Sequence, residues 1–222
     1  GMSGGVSAVR GVVPEAAAPP HGILPAAAPR GILPVAAPHG ILPAVALGTM
    51  ELKGERLRRV LGFGWAAVDT APTYKNETDV GSFMEGGAYL IVKVPRSATG
   101  GGQGAAAVRA AVTASLRRLN RPFANLLLLH WPDQAARDGA LAATWRGLEE
   151  AVAAGQAERI GVCNCTAGVL RQLLACCSVR PAVNQVERHP LLPQWDLLEF
   201  CASERIALQA HTPLGGGGGG GR

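Results

Sequence analysis

Seven short apolar runs, separated by segments of helical period, leave this chain few folds to choose from. They fall at residues 45–47, 65–68, 89–92, 126–129, 159–162, 182–186 and 207–210. Between them, apolar side chains recur at Val108, Val112, Leu116 and Leu119, and again at Leu141, Trp145, Leu148 and Val152, which puts one stripe on each helix. Helix ends are marked as well: Asn120 ahead of Arg121-Pro122 closes the first, Gly155 closes the second, and Thr166 opens the next. Strands without polar alternation are covered on both faces, so the expectation is a parallel sheet under helices. The choice is then between a doubly wound sheet and a barrel.

The residues at or near the strand exits decide it. Asp69, Lys93, His130, Asn164, Gln185 and His211 each follow or end an apolar run. One such residue would be a cap. Six from different strands, converging at carboxyl ends, are the layout of a catalytic barrel of the (β/α)8 TIM type. No Gly-x-Gly-x-x-Gly follows the first run, which counts against a doubly wound dinucleotide fold.

The densest stretch is 67–81, AVDTAPTYKNETDVG. It reads as a strand with Asp69 at its exit, a loop carrying Tyr74, and a helix start that Asn76 caps with Asp79 answering three positions on. Asp, Tyr, Lys and His together suit proton transfer at a carbonyl or alcohol oxygen, with Tyr as the acid. A lysine ammonium about 4 Å from a phenol is worth roughly 4 kcal/mol at an effective dielectric near 20, about three pKa units toward neutrality. In this scheme Asp69 keeps Lys93 charged and aimed, and His130 orients the reacting oxygen. The amides of Asn164 and Gln185 suit a carboxamide-bearing ring. These types point to an oxidoreductase or a lyase.

The ordered set Val45-Ala46-Leu47-Gly48-Thr49, Val68-Asp69-Thr70-Ala71 with Tyr74 and Asn76-Glu77, Val92-Lys93, Leu129-His130-Trp131-Pro132, Ile160-Gly161-Val162-Cys163-Asn164, Val183-Asn184-Gln185-Val186-Glu187 and Thr212-Pro213-Leu214-Gly215 resembles the aldo-keto reductases. The resemblance runs from about Gly40 to Gly215. It implies a (β/α)8 barrel, apparently incomplete, that reduces an aldehyde or ketone with NADPH. It implies a catalytic set of Asp69, Tyr74, Lys93 and His130, with Trp131 beside His130 at the substrate. Cofactor contacts are implied at Thr49, Cys163, Asn164, Gln185, His211, Thr212 and Leu214. Two positions depart from the pattern: Cys163 stands where the family usually has Ser, and His211 where it has a stacked Tyr. The segment between Tyr74 and Lys93 is also shorter, leaving 81–87 little room for a full second helix. The alternative is a non-catalytic barrel relative that binds or regulates.

Three segments follow: an Ala/Pro-rich leader at 1–39, the partial barrel at 40–214 and a glycine tail at 215–222. The leader carries Gly-Ile-Leu-Pro at Gly22, at Gly31 and, crossing into the barrel segment, at Gly40. Its few basic residues, Arg10 and Arg30, argue against organellar targeting, so the expected setting is cytoplasmic. The net charge of +5 is spread over Arg56, Arg58, Arg59, Arg117, Arg118 and Arg121 rather than gathered in one run, which disfavours a nucleic-acid partner. Five cysteines without framework spacing suggest a reducing compartment and no metal, and no apolar run is long enough for a spanning helix. The expected partner is a small carbonyl compound.

Overall fold

The computed structural model describes residues 42–84, 86–99 and 104–215. The leader 1–39 and the tail beyond Gly215 lie outside the described residues. Seven strands form one parallel sheet in sequence order: β1 (Leu47–Gly48), β2 (Ala67–Thr70), β3 (Tyr89–Val94), β4 (Ala124–Leu129), β5 (Ala157–Cys163), β6 (Val183–Glu187) and β7 (Ala207–His211). Helices fill the connections: α1 (Gly54–Leu61), α2 (Glu77–Phe83), α3 (Gly104–Leu119), α4 (Asp133–Arg137), α5 (Leu141–Ala153), α6 (Ala167–Leu174) and α7 (Trp195–Ser203). None of these helices is long and apolar enough to cross a membrane.

Strand side chains alternate between two cores, as the pleat requires. Val68, Leu90, Val92, Leu127, Leu129, Ile160 and Val162 face outward and pack under Leu116, Trp145, Leu148 and Leu170 of the helices. Ile91, Leu126, Leu128, Cys163, Val183 and Ala207 face inward and pack on one another, with Leu42 and Ala46 against them. An interior cluster shared by β3 to β7 means that the sheet curls on itself. A hydrogen bond from Gln185 on β6 to Asp69 on β2, 2.8 Å across the lumen, confirms it. Among the described residues β1 pairs only with β2, and β7 only with β6.

Two glycines are required by close approach. A Cβ on Gly161 would lie 2.6 Å from the Val183 carbonyl and 2.8 Å from Leu128, inside the lumen. One on Gly81 would lie 2.3 Å from the Leu119 carbonyl, where α2 meets α3. An ion pair between the buried Glu77 carboxylate and the exposed Arg118 guanidinium, at 2.6 Å, joins the same two helices.

Several local expectations hold. Asn120 and Gly155 take left-handed backbone after α3 and α5, and the Thr166 hydroxyl accepts from the Val169 N–H to cap α6. Others need correction. The first strand is Leu47–Gly48 rather than 45–47, and the second begins at Ala67, two residues after Trp65. Trp65 instead donates its indole N–H to the Val60 carbonyl and sits in the turn. Asp69 and Lys93 therefore lie within their strands, and both are buried. The expected cap at Asn76 is absent: its side chain makes no capping bond, and the Asp79 carboxylate accepts from the Gly54 N–H at the start of α1. The amide found stronger partners elsewhere, described below.

Candidate active site

Strand register stacks the polar residues at the carboxyl end of the barrel. Asp69 lies level with Ile91, so Lys93 on β3 is two residues higher on the same inward face. Its ammonium reaches back to the Asp69 carboxylate and lies 3.3 Å from the Tyr74 hydroxyl. Tyr74 comes from a short 3-10 turn, Pro72–Tyr74, that follows β2 directly. His130 stands one residue past β4, its ring edge-on to Tyr74 at 6.2 Å between centroids. Trp131 stacks on His130 at 5.9 Å and is 43% exposed, forming an aromatic rim.

The second group comes from β5 to β7. Cys163 is level with Gln185, and Gln185 with Gln209. The Gln185 amide donates to Asp69 at 2.8 Å and to the Gln209 side-chain oxygen at 2.9 Å, and its own oxygen faces the Cys163 thiol at 3.6 Å. Asn164, with φ near 57°, donates to the His130 carbonyl at 3.0 Å and meets His211 Nε2 at 3.1 Å. His211 Nδ1 lies 3.0 Å from the Thr212 hydroxyl. Thr49 is fully buried, and its hydroxyl and N–H both donate to the Asp69 carbonyl, at 2.9 and 3.0 Å.

The structure thus brings together Asp69, Tyr74, Lys93, His130, Cys163 and Gln185, with Asn164, His211 and Thr212 linked to them. Trp131 borders the set. Thr49 reaches it only through the Asp69 backbone, and Leu214 is 97% exposed. Gln209 was not anticipated from sequence, although it was visible as a polar residue on the inward parity of an apolar strand.

The electrostatics correct one expectation. Burial is the largest influence on Tyr74 and raises its pKa; the Lys93 charge and hydrogen bond pull it down, and Asp69 pushes it up again. The net shift is upward, not toward neutrality, because Asp69 offsets much of the lysine charge and the phenol has lost water. Burial is the largest influence on Lys93 and works against its ammonium, but Asp69, through charge and hydrogen bond, together with Cys163 and Tyr74, more than offsets it, and Lys93 is raised. His130 is lowered to about 4 by burial and then by Lys93. The ring is therefore neutral at neutral pH. Its Nδ1 is buried with no hydrogen-bond partner. An unpaired acceptor nitrogen is tolerated there better than an unpaired N–H, so the proton belongs on Nε2.

As a binding surface, Asn164, Gln185 and the His211 ring form two amides and a flat face at adjacent strand ends. That donor set fits a carboxamide-bearing aromatic ring. Both amides are already engaged, so such a ring has to exchange with their present partners.

A family-wide sequence profile, described as "Aldo/keto reductase family", matches residues 45–220. The chain belongs to the aldo/keto reductase family. It is 35% identical over 162 residues to the glyoxal reductase of Bacillus subtilis, covering 72% of this chain and 57% of that one. It is 35% identical over 178 residues to the 2,5-diketo-D-gluconic acid reductase B of a Corynebacterium species, covering 76% and 62%. The crystal structure of a Bombyx mori aldo-keto reductase in complex with NADP superposes with a TM-score of 0.68 at 26% identity, covering 77% and 62%. This aldo/keto reductase chain therefore spans about three-fifths of the length of the relatives it matches. The likeness identifies the curled seven-stranded sheet as an incomplete (β/α)8 barrel.

Proposed function

We propose that this chain reduces an aldehyde or ketone to an alcohol, with NADPH as cofactor and Tyr74 as proton donor. The observation that carries this is the Lys93 ammonium bridging the Asp69 carboxylate and the Tyr74 hydroxyl at 3.3 Å. A substrate carbonyl oxygen at the mouth accepts hydrogen bonds from the Tyr74 O–H and from His130 Nε2–H. As negative charge builds on that oxygen, Tyr74 hands over its proton, and Lys93 stabilises the phenolate left behind. Asp69 keeps Lys93 ionised. His130, neutral at this pH, orients without acting as the acid. NADPH, when bound, supplies the hydride. Asn164, Gln185, Cys163, His211 and Thr212 would hold its nicotinamide end, with Thr49 bracing Asp69 behind them. Trp131 would cover the substrate. The names of the relatives, a glyoxal and a diketo-gluconic acid reductase, support a small oxygen-rich carbonyl compound. A reducing, cytoplasmic setting is supported by five free thiols, three of them buried.

One observation favours a second reading, binding without turnover: both amides offered to the cofactor are engaged within the protein. A single experiment separates the two. NADPH binding is followed by fluorescence and its oxidation by absorbance, with methylglyoxal as substrate, in the parent chain and in Tyr74→Phe. The enzyme reading expects Tyr74→Phe to lose about 100-fold or more in turnover with NADPH affinity unchanged. Binding without oxidation in the parent would establish the second reading instead.

A further inference from the structure

Asn76 is 3% exposed and lies two residues beyond Tyr74 at the start of α2. Its amide nitrogen donates to the Thr49 carbonyl at 2.7 Å and to the Leu52 carbonyl at 2.8 Å. Its oxygen accepts from the Thr70 hydroxyl at 3.1 Å. Every group of this side chain is used, and each partner belongs to a different piece of the scaffold: the β1 exit, the following turn and the end of β2. Thr49 in turn holds the Asp69 carbonyl with two hydrogen bonds. A closed ring results, running Asp69, Thr49, Asn76, Thr70 and back along β2. The turn carrying Tyr74 spans this ring, and it ends on Lys75 in the left-handed region, φ near 55°. A non-glycine residue rests there only when its surroundings hold it.

We propose that Asn76 is a positioning residue for the proton donor, fixing the span between the Tyr74 hydroxyl and the Lys93 ammonium by tying the turn to both strand ends. This rests on Tyr74 as the donor proposed above and assigns Asn76 no contact with substrate. The side chain acts through geometry alone. Its removal leaves the phenol, the ammonium and the carboxylate all present, but releases the turn that holds the first at a set distance from the other two. Such a change acts on the coupling between groups, which a general loss of stability does not touch.

The groups facing the phenol are Lys93 from β3, Asp69 from β2, Cys163 from β5 and His130 just past β4. Tyr74 and Tyr89 are the only tyrosines in the sequence. In a Tyr89→Phe background the phenolate absorbance therefore titrates Tyr74 alone, with no need for activity. Lys93→Met is expected to raise that titration by about one pH unit or more, because an adjacent ammonium is lost. In Asn76→Ala the same Lys93→Met shift should shrink to half or less. Thr70→Val, which removes one hydroxyl and keeps the amide, should shrink it by a smaller amount and serves as the decisive variant if Asn76→Ala does not fold. Melting curves identify folded samples. A Lys93→Met shift of undiminished size in the folded variants would overturn the positioning role, since a purely structural residue leaves the coupling intact. No shift in the parent would overturn the Lys93–Tyr74 pairing itself, and with it this role. Failure of the donor assignment appears separately, as retained turnover in Tyr74→Phe.

Discussion

Lys93 and Asp69 are 2% and 7% exposed, and each is tolerable in the interior only because of the other. Lys93→Met leaves a buried carboxylate with the Gln185 amide as its remaining side-chain partner. We expect a loss of about 3–5 kcal/mol in urea unfolding, with Asp69→Asn added on top restoring more than half. A double variant no more stable than the single would show that the pair is not coupled. His130 carries a pH signature of its own. Its pKa falls from 6.5 to about 4 on folding, and His211 is lowered too, by burial first and by Lys93. The unfolded chain then binds protons that the folded one refuses, so this stability is complete above about 6.5 and declines as the pH falls toward 4. Melting temperature should drop across that window, and His130→Gln should flatten part of the slope. Residue types at strand exits made this cluster legible in the sequence. The sign of the Tyr74 shift was not legible, because it depends on how much water the phenol loses, and no sequence pattern records that.

The helices and strands were legible where their period is long and unbroken. The stripe through α3 and the apolar run of β4 are examples, since packing on one side demands them. The segment from Asn76 to Asp79 was misread for the opposite reason. Its local pattern is that of a capping box, but the amide is bonded to carbonyls 24 and 27 residues away, and the carboxylate to an N–H 25 residues away. Long-range partners of that kind leave no local trace. Gly81 makes the same point energetically. In an open helix, alanine in place of glycine gains about 1 kcal/mol. Here its Cβ would lie 2.3 Å from the Leu119 carbonyl, so α2 must move off α3 and disturb the Glu77–Arg118 pair. Gly81→Ala should therefore destabilise by about 1–3 kcal/mol, read as a lower urea midpoint at unchanged slope. A midpoint at or above the parent's would mean that the two helices can separate freely.

The whole sheet has a stiff middle and two lighter flanks. Strands β3, β4 and β5 are paired on both sides and roofed by α3 and α5, whereas β7 pairs only with β6 and exposes Ala210 on its outer face among the described residues. Hydrogen exchange should be slowest at Leu126 to Leu129 and fastest, among the strands longer than two residues, at Leu208 to His211. Equal protection in β4 and β7 would mean that the flank is covered as well as the centre. The order of strands and their parallel sense followed from alternation with helices, and the curling into a barrel from the polar residues at the strand exits, but the side chains that meet across the lumen did not, because no local pattern pairs them. The bridge from Gln209 through Gln185 to Asp69 is the clearest of these. It behaves as a guy-line strung from the outermost strand to the carboxylate that steadies Lys93. Any force drawing β7 outward is delivered, through two amides, to the charge beneath the phenol. A displacement of the flank would thus be felt at the charged pair that lies beneath the phenol.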